Sequence, residues 1–131
     1  MSERRTINDL LDAARGQLDR LEPVDALRAA QEGALLVDTR SADLRRADGS
    51  IPGAVHVPLS VLYWRLDPAS ESRDPALADP DRQVILICAH GYSSSLAAAT
   101  LRDLGFSRAT DVVGGFEAWA AAGLPVERVP G

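Results

Sequence analysis

The chain has 131 residues, 46% of them hydrophobic and 25% charged, and a formal net charge of −5. That length gives a single domain with its own core, and the acidic balance argues against a nucleic-acid partner or an anionic membrane surface. One cysteine excludes an internal disulfide, a CxxC redox pair and a multi-cysteine zinc site, and fourteen arginines with no lysine exclude Schiff-base chemistry. No run is apolar for the length of a membrane span, and Met1-Ser2-Glu3-Arg4-Arg5 leads into polar residues rather than a signal-peptide core. A cytoplasmic location is the expectation.

In chain order, Thr6 caps a predicted amphipathic helix over 6–17. Ile7, Leu10, Leu11 and Ala14 share one face, which Leu18 extends, and the helix is expected to pack across the domain. Residues 1–19 are therefore read as an N-terminal helix and 20–131 as the domain. Leu18 to Leu21 suits a short edge strand. Pro23 opens a second helix, 23–31, which Gly33 closes. Ala34-Leu35-Leu36-Val37 is a short buried strand ending in Asp38-Thr39-Arg40, a charged pair of the kind that fixes the loop that follows. Ser41 caps a charged helix over 42–47, whose Arg45 and Arg46 are expected in solvent.

A turn at Gly49-Ser50-Ile51-Pro52-Gly53 leads to a strand over 54–57, where His56 reads as structural. Leu59 to Leu66 has a helical pattern, with Leu59, Leu62 and Leu66 inward. Residues 67–83 form a polar, proline-rich connection on the surface, away from the chemistry. A strand over 109–113, Gly114-Gly115 and a helix over 116–122 complete the chain.

The most informative stretch runs from Val84 to Leu101. Val84-Ile85-Leu86-Ile87 reads as a strand buried on both faces, and it ends on Cys88. The polar loop Ala89-His90-Gly91-Tyr92-Ser93-Ser94 follows, then a helix over 95–104. Loop N–H groups and a helix N-terminus converging after a buried strand make an anion site, and the same groups favour a thiolate. Gly91 lets the backbone curl, while Ser93 and Ser94 are placed to donate to sulfur, one of them capping the helix. No carboxylate or second thiol lies in the loop, so the thiolate must be made by electrostatics. His90 is read as solvent-facing or loop-packing rather than as a base.

Four stretches in this order resemble a single rhodanese (thiosulfate sulfurtransferase-like) domain, over roughly residues 20–127. They are Val37-Asp38-Thr39-Arg40; Gly49 to Pro58; Cys88 to Ser94; and Gly114-Gly115-Phe116-Glu117-Ala118-Trp119. A histidine often precedes Ile-Pro-Gly in that family, and Ser50 stands there in this chain. The resemblance implies an α/β fold, a rhodanese-like three-layer sandwich with a central parallel sheet of about five strands and helices on both faces.

The resemblance also implies that Cys88 takes the outer sulfur of a donor such as thiosulfate, becomes a persulfide, and passes sulfur to a thiol or cyanide acceptor. A sulfur-relay protein is a further candidate partner; no cofactor, metal, nucleic acid or membrane is called for. Two rivals stand beside this reading. A non-enzymatic sulfur-carrier or redox-sensing module fits the same residues. A phosphatase-like or arsenate-reductase-like enzyme also uses a cysteine in an anion loop, but the phosphatase loop requires arginine where Ser94 stands. For the donor's anionic end, Arg65, beside Tyr63-Trp64, is the candidate cation.

Overall fold

The computed structural model of the chain describes residues 4–129. Residues 1–3, which open the segment read as 1–19, and residues 130–131, which close that read as 20–131, lie outside the described residues.

Four successive apolar residues can be buried only in a sheet covered on both sides. β3 (Val84–Ile87) takes this place, sending Val84 and Leu86 into one core and Ile85 and Ile87 into the other. β1 (Leu35–Asp38) repeats the alternation, with Leu35 and Val37 on one side and Leu36 on the other. β2 (Val55–His56) and β4 (Thr110–Asp111) complete a parallel sheet in the order β2-β1-β3-β4. Parallel strands require crossovers, and these supply the covering layers.

On the Leu36 face lie α2 (Pro23–Gln31) and α6 (Gly115–Ala121), which contribute Ala26, Phe116 and Trp119. On the opposite face, α4 (Leu62–Leu66) and α5 (Ser93–Asp103) contribute Leu62, Leu66, Ala97, Ala98 and Leu101. α1 (Ile7–Gly16) packs outside α5, and α3 (Ala42–Asp48) crosses from β1 toward β2 with no buried residue. The result is the expected α/β three-layer sandwich. The register pairs Asp38 with Ile87, so β1 and β3 end level and Cys88 emerges at the carboxyl edge of the sheet. Open α/β sheets place their sites at that edge.

Several expectations are corrected. Among the described residues the sheet has four strands rather than five, because the stretch from Leu18 to Leu21 contributes only one parallel bridge, Leu21 to Val112. Leu18 still belongs to the turn that ends α1, and Pro23 already starts α2, so only Leu21 is free to pair. α1 has the predicted Thr6 cap, reciprocated by Asp9, but its apolar face is not fully buried. Ile7 and Leu10 are 63% and 40% exposed, and the helix docks through Ala14 and the following Leu18.

The helix expected over 59–66 is a 3₁₀ turn at Leu59–Val61 followed by α4, and Leu59 is only half-buried. Arg45 turns toward Asp38, 3.6 Å away, whereas Arg46 pairs with Asp43 on the surface. The helix after Cys88 begins two residues early, so Ser93 and Ser94 belong to its first turn.

Gly114-Gly115 has a steric cause. Gly115 sits at φ +61°, and a Cβ there would meet the Cys88 carbonyl oxygen and approach the Gly91 nitrogen to 2.7 Å. Gly115→Ala should therefore lower stability by more than the roughly 1–3 kcal/mol of left-handed strain. Gly53→Ala, at φ +82° with open space around it, should lose no more than that strain. Urea unfolding midpoints of the two variants check the difference.

Candidate active site

Cys88 ends β3 in a loop whose amides turn inward. Its Sγ accepts a hydrogen bond from the Gly91 N–H at 3.1 Å and donates to Ser94 Oγ at 3.2 Å. Burial by itself raises the thiol pKa. The Ser94 and Ser93 hydroxyls and the Ser94 and Gly91 amides, all favouring the anion, outweigh it, and the net shift is downward. The inward curl depends on Gly91 at φ +83°, where a Cβ would lie 2.8 Å from the Gly114 nitrogen.

The loop carbonyls face outward and are taken up by neighbouring elements. Phe116 N–H donates to the Cys88 carbonyl at 2.7 Å and Glu117 N–H to that of Ala89 at 3.1 Å. The Gly91 carbonyl receives two guanidinium groups, Arg15 Nη2 at 2.8 Å and Arg20 Nη2 at 3.1 Å. Arg15 also donates to Ser95 Oγ at 3.2 Å.

No serine side chain caps α5; Tyr92, itself 63% exposed, stands at the N-cap position. The Ser94 and Ser95 hydroxyls instead donate to Asp111 Oδ2 at 2.7 and 2.8 Å. Asp111 is fully buried in β4, and Arg20 Nε reaches its Oδ1 at 2.8 Å. A carboxylate thus reaches the cysteine loop from the adjacent strand β4, although none lies in the loop sequence.

The other candidates separate. His90 points outward, its side chain 62% exposed and its Nδ1 2.7 Å from Glu117 Oε2. His56 Nε2 lies 2.7 Å from the Arg40 carbonyl within the sheet edge. Arg40 is locked to Asp38 at 2.7 Å, donates to the Gly49 carbonyl and stacks on the Phe116 ring at 3.7 Å, joining three of the four sequence stretches. Its Nη1 is buried with no hydrogen-bond partner among the described residues. A cavity of about 430 Å³ beside the loop is lined by Arg40, Leu44, Asp48, Ala89, His90, Phe116, Glu117 and Ala120. Arg65 is not among those residues. It sits by Ser60, Val61 and Trp64 and donates to the Ser72 carbonyl at 3.3 Å.

A reduced thiol at the carboxyl edge of a parallel sheet, wrapped by inward amides and backed by Gly114-Gly115, matches a known family. The model of the rhodanese-like domain covers residues 22–122. The chain belongs to that family. Among curated relatives, thiosulfate sulfurtransferase GlpE of Pseudomonas savastanoi pv. phaseolicola is 38% identical over 88% of this chain and 98% of its own. GlpE of Haemophilus influenzae is 34% identical, over 82% of this chain and 92% of its own.

Among solved structures, a Rhodopseudomonas palustris protein of unknown function, described as a possible tyrosine phosphatase, superposes with a TM-score of 0.87 at 32% identity. It covers 97% of this chain and 98% of its own. The Wolinella succinogenes polysulfide-sulfur transferase homodimer gives 0.69 at 28% identity, covering 91% and 85%. The rhodanese-like chain described here is an enzyme of the sulfurtransferase class.

Sequence reasoning missed Arg15, Arg20, Ser95 and Asp111. An acid inside the short strand Ala109-Thr110-Asp111-Val112-Val113 was the available signal, since buried carboxylates require partners.

Ser94 is the hydroxyl nearest the sulfur. Ser94→Ala should raise the pH midpoint of Cys88 alkylation by iodoacetamide toward the roughly 8.5 of a free thiol, whereas the unmodified loop should react well below it. The alkylation rate follows the thiolate fraction, so the sign is direct: a lower pKa keeps the reaction fast at lower pH. Rates measured from pH 5 to 10 by intact mass check this.

Proposed function

We propose that this rhodanese-like enzyme transfers a sulfane sulfur from thiosulfate to a thiophilic acceptor through a persulfide on Cys88. The observation that carries the reading is the Cys88 thiol held by the Gly91 amide and the Ser94 hydroxyl in a loop that contains no arginine. The Cys88 thiolate attacks the outer sulfur of thiosulfate. A Cys88 Sγ–S bond forms, the donor S–S bond breaks, and the electron pair leaves with sulfite. The terminal persulfide sulfur carries the negative charge that the thiolate held, so the same inward donors serve before and after transfer. Cyanide or a thiolate then takes that sulfur, giving thiocyanate or a new persulfide and returning Cys88 as thiolate.

In this reading Ala89 to Ser94 form the substrate-binding loop, and small anions enter by the adjoining cavity. The donor contact falls to loop amides rather than to Arg65, whose guanidinium is engaged at Ser72. A lone thiol without a disulfide partner is compatible with a reducing compartment, and a cytoplasmic setting fits this reading.

The description of the Rhodopseudomonas structure brings the phosphatase reading forward. A cysteine phosphatase clamps phosphate with an arginine that closes the loop, and Ser94 occupies that position. Arg102, the next arginine along the chain, donates instead to the Ala109 carbonyl at 2.9 Å. The chemistry of the loop favours sulfur over phosphate.

Incubation with thiosulfate, removal of excess and intact mass analysis test the proposal. The expected gain is one sulfur atom, lost on adding cyanide and absent in Cys88→Ala, with no hydrolysis of an aryl phosphate. A gain from polysulfide or a persulfidated protein, but not from thiosulfate, would make the protein a sulfur carrier instead.

A further inference from the structure

We propose that Arg15 and Arg20 are positioning residues for Cys88, and that Asp111, acting through the single hydroxyl proton of Ser94, governs how readily the thiolate forms. This rests on Cys88 as the nucleophile of the proposed reaction. Both arginines lie before residue 22, where the match to the family begins, so they come from outside the part of the chain that defines the family.

Ser94 Oγ stands between two claimants, 3.2 Å from Cys88 Sγ and 2.7 Å from Asp111 Oδ2. In the thiol form one chain of donors satisfies all three groups: S–H donates to Ser94, and Ser94 to Asp111. When the thiol loses its proton to solvent, the sulfur becomes an acceptor only. Ser94 holds it by turning its one proton away from Asp111. A buried carboxylate that loses a donor is destabilised, so Asp111 opposes ionisation of Cys88 both by its charge and by competing for that proton.

Arg20 offsets this. Its Nε and Nη2 reach the two oxygens of Asp111 at 2.8 and 3.3 Å, and Ser95 Oγ remains on Oδ2 when Ser94 turns. The same Nη2 and that of Arg15 hold the Gly91 carbonyl. They fix the loop from outside while the Gly91 N–H holds the sulfur from inside. Of the other ionisable groups at this edge of the sheet, His90 faces Glu117 at the surface, and Asp38, at the end of β1, is paired with Arg40 and approached by Arg45. Arg20 reaches Asp111 because the one-residue bridge between Leu21 and Val112 sets the two residues side by side.

The test is the pH dependence of Cys88 alkylation by iodoacetamide in the full chain, which needs no sulfur donor. Arg20→Met should raise the midpoint by roughly one pH unit, as an unpaired neighbouring carboxylate would. Asp111→Asn should lower it, and Arg20→Lys should fall between Arg20→Met and the unmodified chain. The Arg20→Met/Asp111→Asn double variant should return to the Asp111→Asn value, because the positive charge matters mainly through the negative one.

A merely structural role would lower the unfolding midpoint and leave the pH profile in place, which overturns the proposal. So would an Arg20→Met shift that survives undiminished in the double variant, or an unmoved midpoint in Asp111→Asn. Should Arg20→Met fail to fold, Asp111→Asn and the double variant still decide, since neither leaves a bare buried carboxylate. A wild-type chain that takes up no sulfur from any donor would count against the proposed reaction, while these midpoints would still report on the thiol.

Discussion

A loop that turns its amides toward one sulfur atom must turn its carbonyls away from it, and a buried carbonyl needs a donor. Much of this protein's architecture answers that demand. The Cys88 and Ala89 carbonyls are met by the first N–H groups of α6, which is why that helix starts against the loop and why two glycines precede it. The Gly91 carbonyl is met by guanidinium groups from α1 and the segment after it. The inner face of the loop does chemistry; the outer face is held by elements from both ends of the chain.

The same reasoning separates what was legible in the sequence from what was not. β3 and the cysteine loop were legible because their patterns are local: a run of four apolar residues, three of them β-branched, is too short for a buried helix, and a polar, glycine-containing loop before a helix has few readings. The rhodanese-like family could be read from four short stretches, three of which meet at Arg40, where Asp38, Gly49 and Phe116 converge. What was not legible depends on tertiary register. Nothing in the sequence around Arg15 or Arg20 points to Gly91, more than seventy residues away. Tyr63-Trp64 drew attention to Arg65, but an arginine on a short helix is satisfied by the first carbonyl in reach, here that of Ser72.

The serines show how a correct residue can have an incompletely read role. A serine at the start of a helix is ordinarily a cap. In this protein Tyr92 holds the N-cap position, and Ser94 and Ser95, inside the first turn of α5, donate their hydroxyl protons to a buried acid on the neighbouring strand. A buried carboxylate needs donors, and these two hydroxyls join Arg20 in supplying them.

The single bridge at Leu21 also fixes where the protein may be divided. The boundary drawn by family similarity falls at residue 22, one residue past that bridge. A fragment excised there, for grafting into a fusion or transplanting onto another scaffold, would keep the sheet, the cysteine and every family-defining stretch. It would also leave the Gly91 carbonyl and the Asp111 carboxylate without their arginines. The portable unit is therefore larger than the span 22–122 that the family match covers, because it must include Arg15 and Arg20.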